Sequence, residues 1–556
     1  MNSASATFAL LLLCAASANA LTEEQIMPRC EALSDEPADL PALRRVIMEN
    51  ENHEREDSEG LLPLSSRAAA KLLTGEVGAM ACTAREFVLR NVIIGGDLDI
   101  SAMEIKKPIR LEGVTIRGTF KARNSHLIAL TIDNSSIGYV EADGLNVSHD
   151  VSINKGCRIA GGFRMPFADV GGILSISGTV IDVGRDNERA LNLANAELKG
   201  GLALHGSEIR GNLVLIQGSV GKLEIIGSTV GGKAGSSGGD RFAISANWLS
   251  VNGPVLIDGK SLLRGNTIFL GAKVGGDFFI KSTSIFGCRD DVWVMDDASI
   301  GATLRIENVT IEGVEGCFDP TEALRLKRIR ISGDVDIQST RIRCGEAPGI
   351  AINADSMRCD GQVVIGGGNV LGGEVKLVGS RIEGNLEITS CQISHSKGKA
   401  INADGIKIGQ SVQLRRIESD APMSFRWAAL GNRFYLAQGP IGDLNLDDAS
   451  TVYFQIEEKS WPSSLSISGF RYERIRLPLS PPADKEQAIS MSAANGDSSS
   501  RKQQQTRTGF LLNGSRKLLK LAVSNSKPFD PQPYEQLASV MRQMGNEAVS
   551  RGTHLL

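Results

Sequence analysis

Aromatic residues are scarce in this chain: they make up 5% of 556 residues, with only four Trp and five Tyr. That leaves a core filled by Val, Ile and Leu, which suits a narrow core better than a broad one. Charge of one sign is also missing. The net charge is −4 and no run of Lys or Arg stands out, which argues against nucleic acid as a partner. The nine cysteines contain no C-x-x-C, so neither a zinc site nor a thioredoxin-type redox pair is indicated. The histidines (His53, His126, His149, His205, His395 and His554) have no partners at metal-ligand spacing and read as outward, solvated residues. The Gly-Gly strings at 161–162, 171–172 and 366–368 do not lead from a strand into a helix of a βαβ unit, so they read as corners, not phosphate loops. These absences leave no catalytic, cofactor-binding or metal-ligating residue to name.

Glycine is plentiful, with 61 residues, and it punctuates a tandem repeat from about Gly95 to Val452. Gly373-Glu374-Val375-Lys376-Leu377-Val378-Gly379-Ser380-Arg381-Ile382 is followed by Gly384-Asn385-Leu386-Glu387-Ile388-Thr389-Ser390-Cys391-Gln392-Ile393, a unit of 11 residues. Alternating apolar residues over three to five positions is the period of a strand. Gly and Gly-Asp break the runs, because Gly tolerates positive φ and Asp bonds backbone in turns. A longer period lies on top: Ala351-Ile352-Asn353-Ala354-Asp355 recurs as Ala400-Ile401-Asn402-Ala403-Asp404, with looser copies at Ala190 and Ala243. Two units close one coil. Strands this short cannot bury their apolar row alone and must stack on the next coil. The fold expected is an all-β solenoid, a right-handed parallel β-helix over residues 91–455, with small helical segments at both ends.

The flanks read as follows. Residues 1–20 carry the apolar run Phe8–Ala15, too short to span a bilayer, and the Ala18-Asn19-Ala20 cleavage pattern of a signal peptide. Residues 21–90 read as a helical N-terminal cap, which an open solenoid end requires. Residues 456–479 form a terminal coil or hairpin, 480–508 a Ser/Gln-rich disordered linker, and 509–556 a helical segment. In that segment Tyr534, Leu537 and Met541 fall on one apolar stripe, to be covered by the end of the rod or by another chain. With the signal removed, eight cysteines remain, and an even count permits disulfides. Cys30 and Cys82 flank the cap and are the favoured pair. Cys157 and Cys391 take the small position of the unit and Cys359 takes the place of Ile408, so these are core or corner thiols. The acids Asp97, Asp277, Asp334 and Asp443 share the slot after Gly and are spread along the repeat, as turn chemistry requires. Four Trp are too few for an obvious sugar platform.

The stretch Phe529-Asp530-Pro531-Gln532-Pro533-Tyr534-Glu535-Gln536-Leu537-Ala538, with Arg542 and Gly545, resembles the C-terminal signature of a family of bacterial repeat proteins. Members carry the same Ala-Leu/Ile-Asn-Ala-Asp and Gly-Gly-x-Leu units and are often labelled hypothetical proteins or membrane-associated oxidoreductases. The resemblance implies a repeat fold; it brings no active-site residues, and nothing in this sequence supports a redox cofactor. Three functions stay open: an exported, non-enzymatic β-helix that binds a protein or a cell-envelope polysaccharide, a carbohydrate-active β-helix enzyme, and a redox protein. A periplasmic or extracellular location and a mature chain without a transmembrane segment are expected. N-terminal sequencing of the exported chain should return Leu21; an intact Met1 in the cytosol would refute the signal.

Overall fold

The computed structural model describes residues 62–64, 66–74, 86–184, 189–232, 242–287, 291–313, 321–344, 349–394, 398–419, 421–439, 442–477, 514–521 and 530–554. The repeat folds as a parallel β-helix. One coil shows the plan: Gly201–His205, Glu208–Arg210, Leu213–Val214 and Ser219–Val220 are successive strands on four faces. Each strand pairs in parallel with the strand four places later. Leu202 faces Leu223, Ile209 faces Val230, Leu213 faces Ile244 and Val220 faces Val251. An 11-residue unit therefore supplies two faces, and two units close the coil. Inward positions are sealed: Leu386 and Ile388 are 0% exposed and Ile393 2%, while Glu387 between them is half-buried.

Two corners of the coil turn through a left-handed residue. Between the first and second faces this is Gly178, Gly206 or Gly227; between the third and fourth it is Asn195, Gln217 or Gly271. The residue after the first of these corners points inward and is small and polar. Ser207 Oγ donates to Ile176 O (3.1 Å) and accepts from Thr179 N (3.3 Å), and Ser228 and Ser261 repeat the pattern. Cys157 and Cys391 stand in the same place, their thiols 3.3 Å from Ile132 O and Ile365 O. Cys157, Cys344, Cys359 and Cys391 are all buried and free. Burial pushes Cys344 and Cys391 up to about 12 and Cys359 to about 11, so these thiols stay protonated. Cys30, Cys82, Cys288 and Cys317 lie outside the described residues, and so does the Cys30–Cys82 pairing.

The corner acids act differently from expectation. A turn would have each Asp bond its own loop. Instead Asp97 Oδ1 accepts Thr119 N (2.8 Å), Asp150 Oδ1 accepts Ile173 N (2.8 Å), Asp277 Oδ1 accepts Thr303 N (3.0 Å) and Asp334 Oδ1 accepts Gln362 N (2.9 Å). Every acceptor serves the following coil. Asp355, Asp404 and Asp447 do the same on another corner, for Val378 N, Arg426 N and Ser468 N. The acids are spread along the repeat because each bridges one step of it.

The chain divides into two compact units, Met1–Gly276 with Ser282–Ile285, and Asp277–Lys281 with Phe286–Leu556. In the first, Leu62–Pro63 pairs with Val92–Ile93, and the helix Ser66–Thr74 buries Ala69 and Leu73. That helix lies against the first coil: a Cβ on Gly96 would sit 3.2 Å from Ser66 Oγ. In the second, the core fills with rings. Phe425, Phe434, Phe454 and Phe470 follow one another with centroids 5.4, 6.1 and 5.2 Å apart. The terminal segment is a true coil, since Leu465 pairs in parallel with Leu444 and Arg471–Arg476 with Ser450–Gln455. Residues 514–521, Gln532–Gln543 and Glu547–His554 are helical. Among the described residues no helix is long and apolar enough to cross a membrane. The signal segment and the linker expected at 480–508 lie outside the described residues.

Ile388→Asp places an unpaired carboxylate in the sealed core and should destabilise by about 4 kcal/mol or more, whereas Glu387→Ala should shift the melting temperature little. Equal, small shifts for the two would contradict the inward assignment.

Candidate functional site

The corner between the third and fourth faces holds several residues that its geometry does not favour, among them Gln217 and Arg328, and three of them are large aromatics. Gly, Asn and Asp are the low-cost occupants of a left-handed position; a bulky side chain there costs about 1–2 kcal/mol. Yet Phe167 (φ 58°), Trp248 (φ 58°) and Trp427 (φ 56°) occupy it. Their exposures are 68%, 58% and 61%, so most of each residue's surface stays in water. The Trp248 indole lies across the next corner, where a Cβ on Gly271 would meet its ring carbons at 2.4 Å. The ring therefore rests on the coil with its other side in water. Trp427 carries the Arg426 guanidinium 4.6 Å from its ring centroid. The other Trp residues are structural: Trp293 is fully buried, and Trp461 is half-buried with Lys517 Nζ 5.0 Å from its ring. Counting Trp residues missed this site. Aligning the coils finds it: Trp248 directly follows Ala243-Ile244-Ser245-Ala246-Asn247, in the slot that Ser356 and Gly405 fill after the two best repeats.

Two residues past that corner, the fourth face of the second unit presents Arg330, Arg358, Arg381 and Lys407, all exposed and paired in register from coil to coil. The column continues through Ala429 and Ser450 to Arg471. There an open groove of about 630 Å³ is lined by Ile408, Ala429, Asn432, Ser450, Arg471, Glu473 and Gln536, among others.

The third face holds a partly buried ionic cluster. Arg325 Nε donates to Asp296 Oδ2 (2.7 Å) and its Nη1 bonds Asp291. Lys327 Nζ and Asn353 Nδ2 both donate to Glu322 Oε1 (2.8 Å each). Burial raises Asp291 above the usual carboxylate range despite Arg325, and the paired carboxylates hold Arg325 firmly protonated. Further along, burial would raise Asp404, but donors from Arg426, Ser424 and Lys399 outweigh it and hold the carboxyl at about 2. Among the described residues no group of His, Cys, Asp and Glu could hold a metal ion. His126 and His149 are exposed and His205 half-buried.

The C-terminal stripe is buried within the chain itself. Leu537 and Met541 are fully buried, and Tyr534 is half-buried. The helix grips the last coil through two glutamines one turn apart. Gln532 Oε1 accepts Gly469 N (3.1 Å) and its Nε2 donates to Phe470 O (3.2 Å), while Gln536 Nε2 donates to Tyr472 O (2.7 Å). Ser468 Oγ adds a bond to Asp530 Oδ2 (2.6 Å). Sequence reasoning left the apolar stripe to be covered by the end of the rod or by another chain and overlooked these amides, which supply edge backbone with partners it would otherwise lack.

A scan against protein-family models finds no match, and searches of the curated proteins and of the solved structures find none either. The functional reading therefore rests on the columns described above.

Gln536→Leu leaves Tyr472 O unbonded and should cost about 1–3 kcal/mol. Removing residues 509–556 should lower the melting temperature further. An unchanged melt of the shortened chain, with a binding partner lost, would instead make the helix a docking element for another chain.

Proposed function

We propose that this protein is an exported, non-enzymatic β-helix that binds a saccharide of the cell envelope through the aromatic residues on its left-handed corner. One observation carries the reading: Trp248 spends backbone strain and exposed apolar area in a slot where Asn or Gly would relieve both. A flat ring, supported on one side and bare on the other, matches the apolar face of a sugar ring, and indole is the aromatic group that offers most area with little conformational entropy to lose. A location in the periplasm or outside the cell fits such a ligand and the leader-like residues 1–20.

A carbohydrate-active enzyme is the second reading, favoured by the ionic cluster of Asp291, Asp296, Glu322, Arg325 and Lys327 on adjacent coils. A lyase needs a base near neutrality. Arg325, clamped between two carboxylates, is held protonated instead, and Lys327 donates to Glu322. The cluster reads as a structural ion network that locks adjacent coils in register.

Trp248→Asn separates function from folding. Asn is at home in a left-handed slot, so the variant should melt at or slightly above the wild-type temperature while retention on insoluble envelope polysaccharide falls about tenfold, or 1.4 kcal/mol. A lower melting temperature with unchanged retention would make the ring structural. Release of sugar fragments by the wild-type chain would favour the enzyme.

A further inference from the structure

The fourth face of the second unit stacks Arg330, Arg358, Arg381 and Lys407 one above another, at the strand spacing of about 4.8 Å. Like charges directly opposite in a sheet are destabilising. Only Arg381 has a carboxylate partner, Glu383; among the described residues Arg330, Arg358 and Lys407 have no ion pair, and neither does Arg471 at the end of the column. The fold does not demand cations here. The matching column of the first unit holds Glu104, His126, Asn146, Asp169, Glu197, Ser219, Ser250 and Lys273. Past Lys407 the side chains shrink to Ala429 and Ser450, which opens the groove, and Arg471 stands at its far side. Trp427 stands two residues before Ala429, on the corner that precedes the fourth face and outside the groove's own lining, with an exposure of 61% and the Arg426 guanidinium over its ring.

We infer that this face binds a linear acidic polysaccharide with one carboxylate per sugar ring, laid along the cation column into the groove beside Trp427. The inference rests on the saccharide reading and names the class of saccharide. Pyranose rings linked in an extended chain advance by roughly the height of one coil (about 4.8 Å) and turn about the chain axis, so the carboxylates that face the column recur every second or third ring and meet cations two or three coils apart. Planar Arg guanidinium groups suit carboxylates in a bidentate mode. The small side chains of Ala429 and Ser450 leave room for a ring, and Trp427 offers it a face. Asp360 beside the column and Glu473 in the groove oppose the charge in part, so the attraction comes from the excess of Arg330, Arg358, Lys407 and Arg471. Single-stranded nucleic acid is the less suitable polyanion. It needs aromatic side chains between the cations for base stacking, and the column has none before Trp427.

The test uses the full chain, polygalacturonate, its fully methyl-esterified and uncharged counterpart, and a single-stranded oligonucleotide. Wild type should bind polygalacturonate and lose it in salt near 1 M, where the Debye length is about 3 Å. Arg330→Gln/Arg358→Gln/Lys407→Gln should weaken that binding about tenfold or more and leave retention of the neutral polymer unchanged. Because it relieves like-charge neighbours, the variant should melt no lower than wild type; a lower melt with unchanged binding would overturn the inference. Equal binding of both polymers, unaffected by the triple variant, would overturn it too and leave the saccharide reading standing. Binding of neither polymer would remove both. Tighter binding of the oligonucleotide, lost in the triple variant, would make the column a nucleic-acid surface and end the inference.

Discussion

In-register parallel stacking of coils is the constraint from which the rest of this structure follows. A residue at a given phase of the coil sits directly above the residue at the same phase of the next, so each phase becomes a column. Inward columns must be apolar and close-packed, as Leu386 and Ile388 show. A polar inward column survives only if each member bonds its neighbour. The Ser207, Ser228 and Ser261 hydroxyls do so by both donating to and accepting from the backbone of the preceding coil. Cys157 and Cys391 fit the same place because a thiol is a small group with one weak donor. The corner acids extend the logic outward, each carboxylate accepting a backbone N–H of the coil that follows.

Columns also show where the chain departs from what stacking asks. A left-handed corner favours Gly, Asn or Asp, as at Asn195, Gly271 and Asp297; Phe167, Trp248 and Trp427 depart from this, as do Gln217 and Arg328. An outward sheet column asks for mixed charges, and the first unit complies; Arg330, Arg358, Arg381 and Lys407 do not. Both departures cost stability locally, and pairing within the chain offsets them only in part, through Glu383 beside Arg381 and Arg426 over Trp427. They come near one another in the second unit, where Trp427 stands two residues before Ala429 of the groove into which the cations lead. The ionic cluster around Arg325 is of another kind. Its donors and carboxylates mostly satisfy one another, which is what a network that holds coils in register needs.

A stack must also end, and its last strand leaves backbone groups with no next coil. The second unit meets this with side chains in place of a strand. Gln532 and Gln536, one helical turn apart, lie on one side of the helix and present amides at roughly the spacing of alternate strand residues. The apolar stripe of Leu537 and Met541 is buried by the same approach. The aromatic stack from Phe425 to Phe470 and Tyr472 thickens the core beneath this end, where fewer coils remain to share the load.

The β-helix was legible in the amino-acid order, because strand alternation and corner glycines are local and recur every 11 residues. So was the inward placement of Ile393, Cys391 and Cys359, which follows from phase within the unit. The four-sided coil was not: whether two units bend at two corners or four depends on pairing between coils. Nor was the role of Asp97 or Asp334, since a carboxylate after Gly can bond its own turn or the next coil, and only stacking distance selects between them. The coincidence of Phe167, Trp248 and Trp427 on one corner could have been read by aligning coils, but variable spacing between copies hid it. That their rings stay in water, that Arg330 to Lys407 align along one face, and that two glutamines close the last strand are tertiary outcomes. Each depends on which side chains lie a coil's height away, and residues 20 to 30 positions apart in the chain become neighbours only when the coils stack.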